Sequence, residues 1–76
     1  MVGKTLTSEY GVGSPDRTKP LPVPRNPWDT ARWTGGSSAG SAAGLVTGAF
    51  LGALGTDSGG SIRMPSAFCG TTGLKP

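Results

Sequence analysis

Two Gly-Gly-Ser units carry the residues of this sequence that are best placed to perform chemistry. The first is Gly35-Gly36-Ser37, and the second is formed by residues 59–61. Glycine pairs permit positive φ angles and let the backbone approach a ligand closely. A serine directly after such a pair can project its hydroxyl from a strained turn, while successive backbone N–H groups of that turn point at one anionic oxygen. A positioned hydroxyl with preorganised oxyanion donors is typical of acyl transfer.

The residue types present limit the base that could activate such a serine. The sequence contains no histidine, which excludes Ser-His-Asp and Cys-His arrangements. The base must then be a lysine that its site holds neutral, or a carboxylate. Two glycine-rich turns without a catalytic role, or a phosphate-binding loop, remain as alternatives at this point.

The composition is unlike that of an independent domain. Of the 76 residues, 14 are glycine and 7 are proline, and only 34% are hydrophobic; a glycine and proline share of about 25–30% without a period is typical of low-complexity segments. Cys69 is the single cysteine, so it cannot form an internal disulfide, and we expect it to be a small buried hydrophobe. A chain this short buries only about 60% of its unfolded surface. We therefore expect a fragment of a larger protein, with little cooperative folding and no appreciable turnover alone.

The charges and apolar stretches exclude several function classes. Seven Lys and Arg against four acids give a net charge of +3, but the dispersed cations indicate solvated surface rather than a nucleic-acid-binding patch. Residues 1–6 lack the apolar region of a signal peptide, so we expect a cytoplasmic protein. Between Arg32 and Asp57, glycine recurs every fourth position as in packed transmembrane helices. Serine and glycine dilute this stretch below the apolar content that a membrane span needs, so we expect no membrane association.

The elements that must position the serines divide the chain near residue 34. Residues 1–34 hold five of the seven prolines and are predicted to be a connector region, with a PxxP ligand for an SH3-like partner as the alternative. Residues 35–76 predict alternating α/β elements. These are a helix from Ser37 or Ser38 to about Gly48, a buried strand over 50–54, a glycine turn over 58–61, a helix over 65–69 that Gly70 ends, and a further strand over 71–75.

The ordered motifs along the chain closely resemble those of the amidase signature family, serine hydrolases that cleave carboxamides with a Ser–cis-Ser–Lys triad. The matching segments are residues 3–5, 25–29, 35–40, 55–63, 65–70 and 73–76. Ala39 is a mild departure, because glycine is more frequent there in the family. The resemblance implies an α/β fragment of the amidase signature fold, in which helices flank a mixed β-sheet core. Residues 1–76 would form a partial domain, with the connector region at 1–34 and the signature core at 35–76.

The resemblance also implies catalytic roles. Ser61 would be the nucleophile, and Ser37 would be the bridging serine on a cis peptide bond after Gly36. Such a bond costs about 3–4 kcal/mol without proline and survives only where its surroundings enforce it. The oxyanion hole would consist of the backbone N–H groups of Ser58, Gly59, Gly60 and Ser61.

Other residues are expected to support this site. Ser38 would donate and accept hydrogen bonds behind the bridging serine, and Asp57 would form an ion pair with Arg63 that braces the loop. Trp28 and Phe68 are predicted to be packing residues.

The catalytic lysine of the family has no counterpart in the sequence. In the family it lies several dozen residues before the bridging serine on a separate strand, a position that Lys4, Lys19 and Lys75 do not occupy. The chain would therefore carry the nucleophile, the bridging serine and the oxyanion loop of a longer enzyme, without a base of its own.

The function implied is hydrolysis of a small-molecule amide through an acyl-enzyme, with no metal or organic cofactor. A glutaminase subunit of a tRNA-dependent amidotransferase and a non-catalytic remnant are the alternatives. Two assemblies of the intact protein remain open: a homodimer, and a complex with amidotransferase subunits.

Overall fold

The computed structural model describes residues 1–13, 18–20 and 22–76. A short 3₁₀ turn at Glu9–Gly11 precedes strands β1 (Arg25–Asn26) and β2 (Asp29–Trp33), which helices α1 (Ala39–Val46) and α2 (Arg63–Cys69) follow. Residues 50–62 and 71–76 contain no helix or strand. Part of the predicted connector, including Pro15 and Leu21, lies outside the described residues.

Strands β1 and β2 form an antiparallel hairpin that the sequence did not predict. Arg25 pairs with Trp33 and Asn26 with Asp29, with a register shift between the two residues of β1. Residues 27–28 make the turn, and the Trp28 N–H donates to Asn26 Oδ1 at 3.0 Å. Asparagine favours such turns because its side chain hydrogen-bonds backbone two residues onward.

The predicted first helix is confirmed as α1. Ser38 occupies its N-cap position, although its side chain makes no capping hydrogen bond. Two of the regularly spaced glycines serve close packing: a Cβ at Gly44 would collide with the Phe50 ring and one at Gly40 with the Leu6 backbone, whose carbonyl accepts the Gly40 N–H at 3.0 Å. No helix in the described part of the chain is long and apolar enough to cross a membrane.

The predicted second helix is confirmed as α2, which begins two residues earlier than expected. Pro65 is its third residue, where a missing N–H costs no intrahelical hydrogen bond. Gly70 ends the helix with a left-handed φ of 73°, as predicted.

The hairpin holds the C-terminal end of α2. Asn26 Nδ2 donates to Phe68 O at 2.9 Å, and Trp28 Nε1 donates to Cys69 O at 2.7 Å. The prediction that Trp28 is a packing residue is wrong, because Trp28 is 74% exposed. Phe68 is 55% exposed, but its ring lies against Gly35, where an added Cβ would meet Cδ2 at 2.7 Å. Trp28 contributes a hydrogen-bond donor to the last turn of the helix instead of a buried ring.

The strands predicted over 50–54 and 71–75 are not present. Leu51 is 102% exposed and Leu54 is 94% exposed, so the first of these segments is not buried either. A strand requires a neighbour for its N–H and C=O groups, and among the described residues β1 and β2 pair only with each other. The described architecture is a small mixed arrangement of two helices and a hairpin, without the expected layered sheet.

The core is small for a chain of this size. The radius of gyration is 11.2 Å, close to the value of about 11 Å for a compact chain of this length. The accessible surface is nevertheless 5326 Å², against about 4300 Å² for a folded monomer of this mass. Only Ala39, Ala42 and Cys69 are buried hydrophobic residues in the described chain, and Cys69 is fully buried as predicted. Burial raises the pKa of the Cys69 thiol.

Candidate active site

The two Gly-Gly-Ser units lie in direct contact. Gly35 and Gly36 have φ angles of 85° and 62°, and the whole segment 34–39 is buried. A Cβ at Gly36 would lie 2.8 Å from Ser61 Cα and 3.0 Å from Pro65 Cδ. Because both the positive φ and the close approach exclude a side chain, only glycine fits here. The loop before α1 is thereby packed against the turn that carries Ser61.

Ser37 is fully buried beside this contact, and its hydroxyl faces Thr56. The two hydroxyl oxygens, Ser37 Oγ and Thr56 Oγ1, are 3.5 Å apart. No hydrogen bond joins the hydroxyls of Ser37 and Ser61 in the described part of the chain. Thr56 lies inside a segment that the sequence singled out, but nothing in its residue type or spacing indicated that it would partner the predicted bridging serine.

The cis peptide bond expected before Ser37 is not present. The bond after Gly36 is trans, as are all peptide bonds of the described residues. Two consecutive glycines with positive φ reverse the chain here, so the turn does not require the cis form, which costs about 3–4 kcal/mol.

Ser38 joins Thr56 to the start of α1. Its Oγ accepts the Thr56 N–H at 3.1 Å and donates to Thr56 O at 3.3 Å. The hydroxyl thus pairs with both backbone groups of one residue instead of capping its own helix. This places the Ser38 side chain behind the predicted site, in contact with the residue that precedes Asp57.

The turn that carries Ser61 is organised around the Asp57 side chain. We call residues 57–63 the nucleophile turn, after the predicted role of Ser61. The expected ion pair with Arg63 is present and bidentate, with Nη2 at 2.9 Å from Oδ1 and Nε at 3.0 Å from Oδ2. The carboxylate also accepts three backbone N–H groups: Gly60 at 2.7 Å on Oδ1, and Ile62 and Arg63 both at 3.1 Å on Oδ2. The Asp57 side chain is only 1% exposed, whereas that of Arg63 is 60% exposed.

The electrostatics of this turn follow from these contacts. The Arg63 guanidinium is the largest influence that holds the pKa of Asp57 well below its ordinary value, and the three backbone N–H groups act in the same direction while desolvation opposes them. Asp57 in turn raises the pKa of Arg63. The carboxylate is therefore ionised and the pair has no net formal charge.

Four backbone N–H groups were predicted to form an oxyanion hole. Within the described part of the chain, one of them has a hydrogen-bond acceptor and the other three have none. The Gly60 N–H is directed at Asp57. The N–H groups of Ser58, Gly59 and Ser61 have no acceptor within residues 1–13, 18–20 and 22–76. Ser61 itself is half-buried.

No lysine contacts either serine in the described part of the chain. Lys19 pairs with Glu9, Lys75 Nζ donates to Pro76 O at 2.8 Å, and Lys4 is exposed at the N-terminal end. The described residues also contain no group of three His, Cys, Asp or Glu side chains that could hold a metal ion. The described residues therefore offer the Ser61 hydroxyl and backbone N–H groups without an acceptor, but no base beside them.

Comparison with known proteins gives matches along the whole chain. A family model described as Amidase matches residues 1–76. The chain is 51% identical over 76 residues to a glutamyl-tRNA(Gln) amidotransferase subunit of Prochlorococcus marinus strain MIT 9211. It is 53% identical over 76 residues to the protein of the same name from Cyanothece sp. strain PCC 7425, and 53% identical over 75 residues to that from Limosilactobacillus reuteri. These alignments cover 99–100% of this chain but only 15–16% of each relative. No solved structure gives a significant match.

Proposed function

Since this chain belongs to the amidase signature family, we propose that it carries the nucleophile and oxyanion donors of an enzyme that hydrolyses carboxamides. The observation that carries this proposal is the contact of Gly36 with Ser61 Cα. It brings the loop of one serine against the turn of the other, in an arrangement that tolerates no side chain at Gly36. The chain spans about 16% of the relatives it matches, so the complete activity belongs to a longer protein.

The reaction follows from the groups at the contact. The Ser61 hydroxyl attacks the carbonyl carbon of the amide, and its proton passes through the Ser37 hydroxyl to a lysine that the rest of the protein supplies. The carbonyl oxygen becomes an oxyanion that backbone N–H groups of the nucleophile turn stabilise; each such donor is worth about 10²–10³ in rate. The same relay returns the proton to the nitrogen as the C–N bond breaks, and the amine leaves. Water then hydrolyses the ester on Ser61 to release the acid.

Ser37 must turn toward Ser61 for this relay. Its contact with Thr56 Oγ1 is 3.5 Å long, at the weak limit of hydrogen bonding. Rotation of the hydroxyl away from Thr56 therefore costs little, and the buried position of Ser37 keeps bulk water from competing for the proton.

A more specific function is favoured by the names of the relatives. We propose that the intact protein is one of the subunits of a glutamyl-tRNA(Gln) amidotransferase, in which the amide is that of glutamine and the released ammonia passes to partner subunits. The residues of this chain do not themselves distinguish this function from a free amidase. Glutamine-dependent amidation of glutamyl-tRNA(Gln), measured beside ammonia release from simple carboxamides, separates the two.

The test uses a chimera in which these 76 residues replace the aligned span of the Cyanothece relative, so that the missing lysine and core are present. A fluorophosphonate probe should label the chimera at Ser61, and Ser61→Ala should abolish both labelling and amide hydrolysis. Ser66→Ala, a serine of α2 outside the site, is the matched control and should retain both. Undiminished hydrolysis in the Ser61→Ala chimera would show that this chain is a non-catalytic segment.

A further inference from the structure

The nucleophile turn wraps its backbone around one carboxylate. Asp57 accepts the N–H groups of Gly60, Ile62 and Arg63 in addition to the two nitrogens of the Arg63 guanidinium. An ion pair that served only to tie Arg63 to the turn would need just the last two of these five contacts. The shortest of the five, at 2.7 Å, is the one to the Gly60 N–H. The carboxylate therefore fixes where the N–H groups of Gly60, Ile62 and Arg63 point.

The direction of the Gly60 N–H affects the oxyanion hole. An N–H that donates to an ionised carboxylate at 2.7 Å makes a strong, charge-assisted hydrogen bond, and its hydrogen cannot also point at a substrate oxygen on the other side of the turn. The neighbouring N–H groups of Ser58, Gly59 and Ser61 are left without an acceptor in the described residues. Arg63 neutralises Asp57, so the buried negative charge does not repel an oxyanion that forms nearby.

On the basis of the proposed amide hydrolysis, we propose that Asp57 is a positioning residue that withholds the Gly60 N–H from the substrate and presents those of Ser58, Gly59 and Ser61 as the oxyanion donors. The four-donor oxyanion hole that the resemblance implied is thereby reduced to three. Asp57 does not contact the reacting atoms and acts entirely through the backbone it holds.

The first experiment measures the backbone directly and does not depend on activity. Hydrogen exchange of the chimera, resolved to single residues by fragmentation of the peptide over 56–64, should show the Gly60 and Ile62 N–H groups exchanging about tenfold or more slowly than those of Ser58 and Gly59. Asp57→Ala should remove this difference, because no side-chain oxygen then remains to accept the Gly60 N–H or the Ile62 N–H. Equal exchange at Gly60 and Gly59 in the unsubstituted chimera would overturn the assignment even if Ser61 is the nucleophile.

The second experiment measures catalysis per correctly folded site. Active sites are counted by fluorophosphonate titration, and kcat is expressed per titrated site, so that loss of folded protein does not count as loss of catalysis. Asp57→Ala should lower kcat per site by about 10²–10³, the range for loss of an oxyanion donor, because the N–H groups of Ser58, Gly59 and Ser61 are then no longer held in one direction; KM should change little. Asp29→Ala is the matched control, because Asp29 also accepts a backbone N–H and pairs with an arginine; its kcat should be unchanged. An unchanged kcat per site in Asp57→Ala would overturn the positioning role.

Discussion

The nucleophile turn and the hairpin turn each contain an aspartate that pairs with an arginine, but the two pairs have different roles. In the nucleophile turn Asp57 is 1% exposed and accepts three backbone N–H groups besides the guanidinium. In the hairpin Asp29 is 49% exposed and accepts one backbone N–H, that of Ala31. Burial and the number of backbone donors, rather than the presence of an ion pair, therefore distinguish a carboxylate that shapes a site from one that sits on a surface.

The surroundings of the two turns differ in the same way. The nucleophile turn is pressed against Gly36 so closely that a Cβ would not fit. The hairpin turn is open, with Trp28 mostly exposed, and it is joined to α2 by the Trp28 indole N–H and the Asn26 amide. Substitutions in the first region should therefore change catalysis, and those in the second should change stability alone.

Among the substitutions that compare the surroundings of the two turns, the largest effect is expected from Gly36→Ala in the chimera. The new Cβ would lie 2.8 Å from Ser61 Cα, so the turn and the Ser37 loop must separate, and a displacement of about 1 Å can cost about 10²-fold in rate. We expect fluorophosphonate labelling of Ser61 to slow by about that factor.

Gly48→Ala is the control for this substitution. Gly48 has a similar positive φ of 73°, but a Cβ there would meet nothing within 4 Å, so the variant carries the backbone strain of about 1–2 kcal/mol without the collision. Its labelling rate should equal that of the unsubstituted chimera. Equal labelling rates for the Gly36 and Gly48 variants would show that the contact with Ser61 does not control the site.

A smaller effect is expected from acid. Because the folded-state pKa of Asp57 lies below its ordinary value, and the unfolded pKa is about 3.9, its contribution to stability is complete above that pH and is lost as pH falls below it. The free energy of unfolding of the chimera, from urea titrations, should exceed that of Asp57→Asn by a constant amount above about pH 5.

Below about pH 4 the two unfolding free energies should converge, as the carboxyl of the unfolded chain takes up its proton. Parallel curves for the chimera and Asp57→Asn down to pH 2 would contradict the depressed pKa. The comparison is made between two variants, so the other carboxylates of the protein contribute equally and cancel.

The helices were predictable because their signals are local. Ser38 precedes an alanine-rich run, and Gly70 follows a short apolar run. Residues of these types mark the ends of a helix whatever surrounds it. The strand expected over 50–54 depends on a neighbouring strand, which no residue inside the segment can provide. The hairpin escaped prediction because β1 is two residues long and lies between prolines.

Part of the site follows from residue types. The sequence singled out the two Gly-Gly-Ser units, and the structure packs Gly36 of the first against Ser61 of the second. The ion pair of Asp57 with Arg63 is present as expected, but the direction of the Gly60 N–H depends on backbone geometry that residue types do not specify. An aspartate three residues before a glycine was the one local signal, since Asp side chains commonly bind backbone N–H groups a few residues onward.

The smallest effect is expected in the hairpin, from Trp28→Phe. Phenylalanine keeps the aromatic ring but removes the Nε1 donor that now binds Cys69 O at 2.7 Å, and a hydrogen bond of this kind contributes about 1 kcal/mol net. The free energy of unfolding of the chimera should fall by about that amount, while kcat per titrated site stays unchanged, because no backbone of the nucleophile turn depends on the indole. A loss of kcat per site in Trp28→Phe, at undiminished stability, would mean that the hairpin influences Ser61 through α2. The distinction between the nucleophile turn, which shapes the site, and the hairpin turn, which only stabilises the fold, would then not hold.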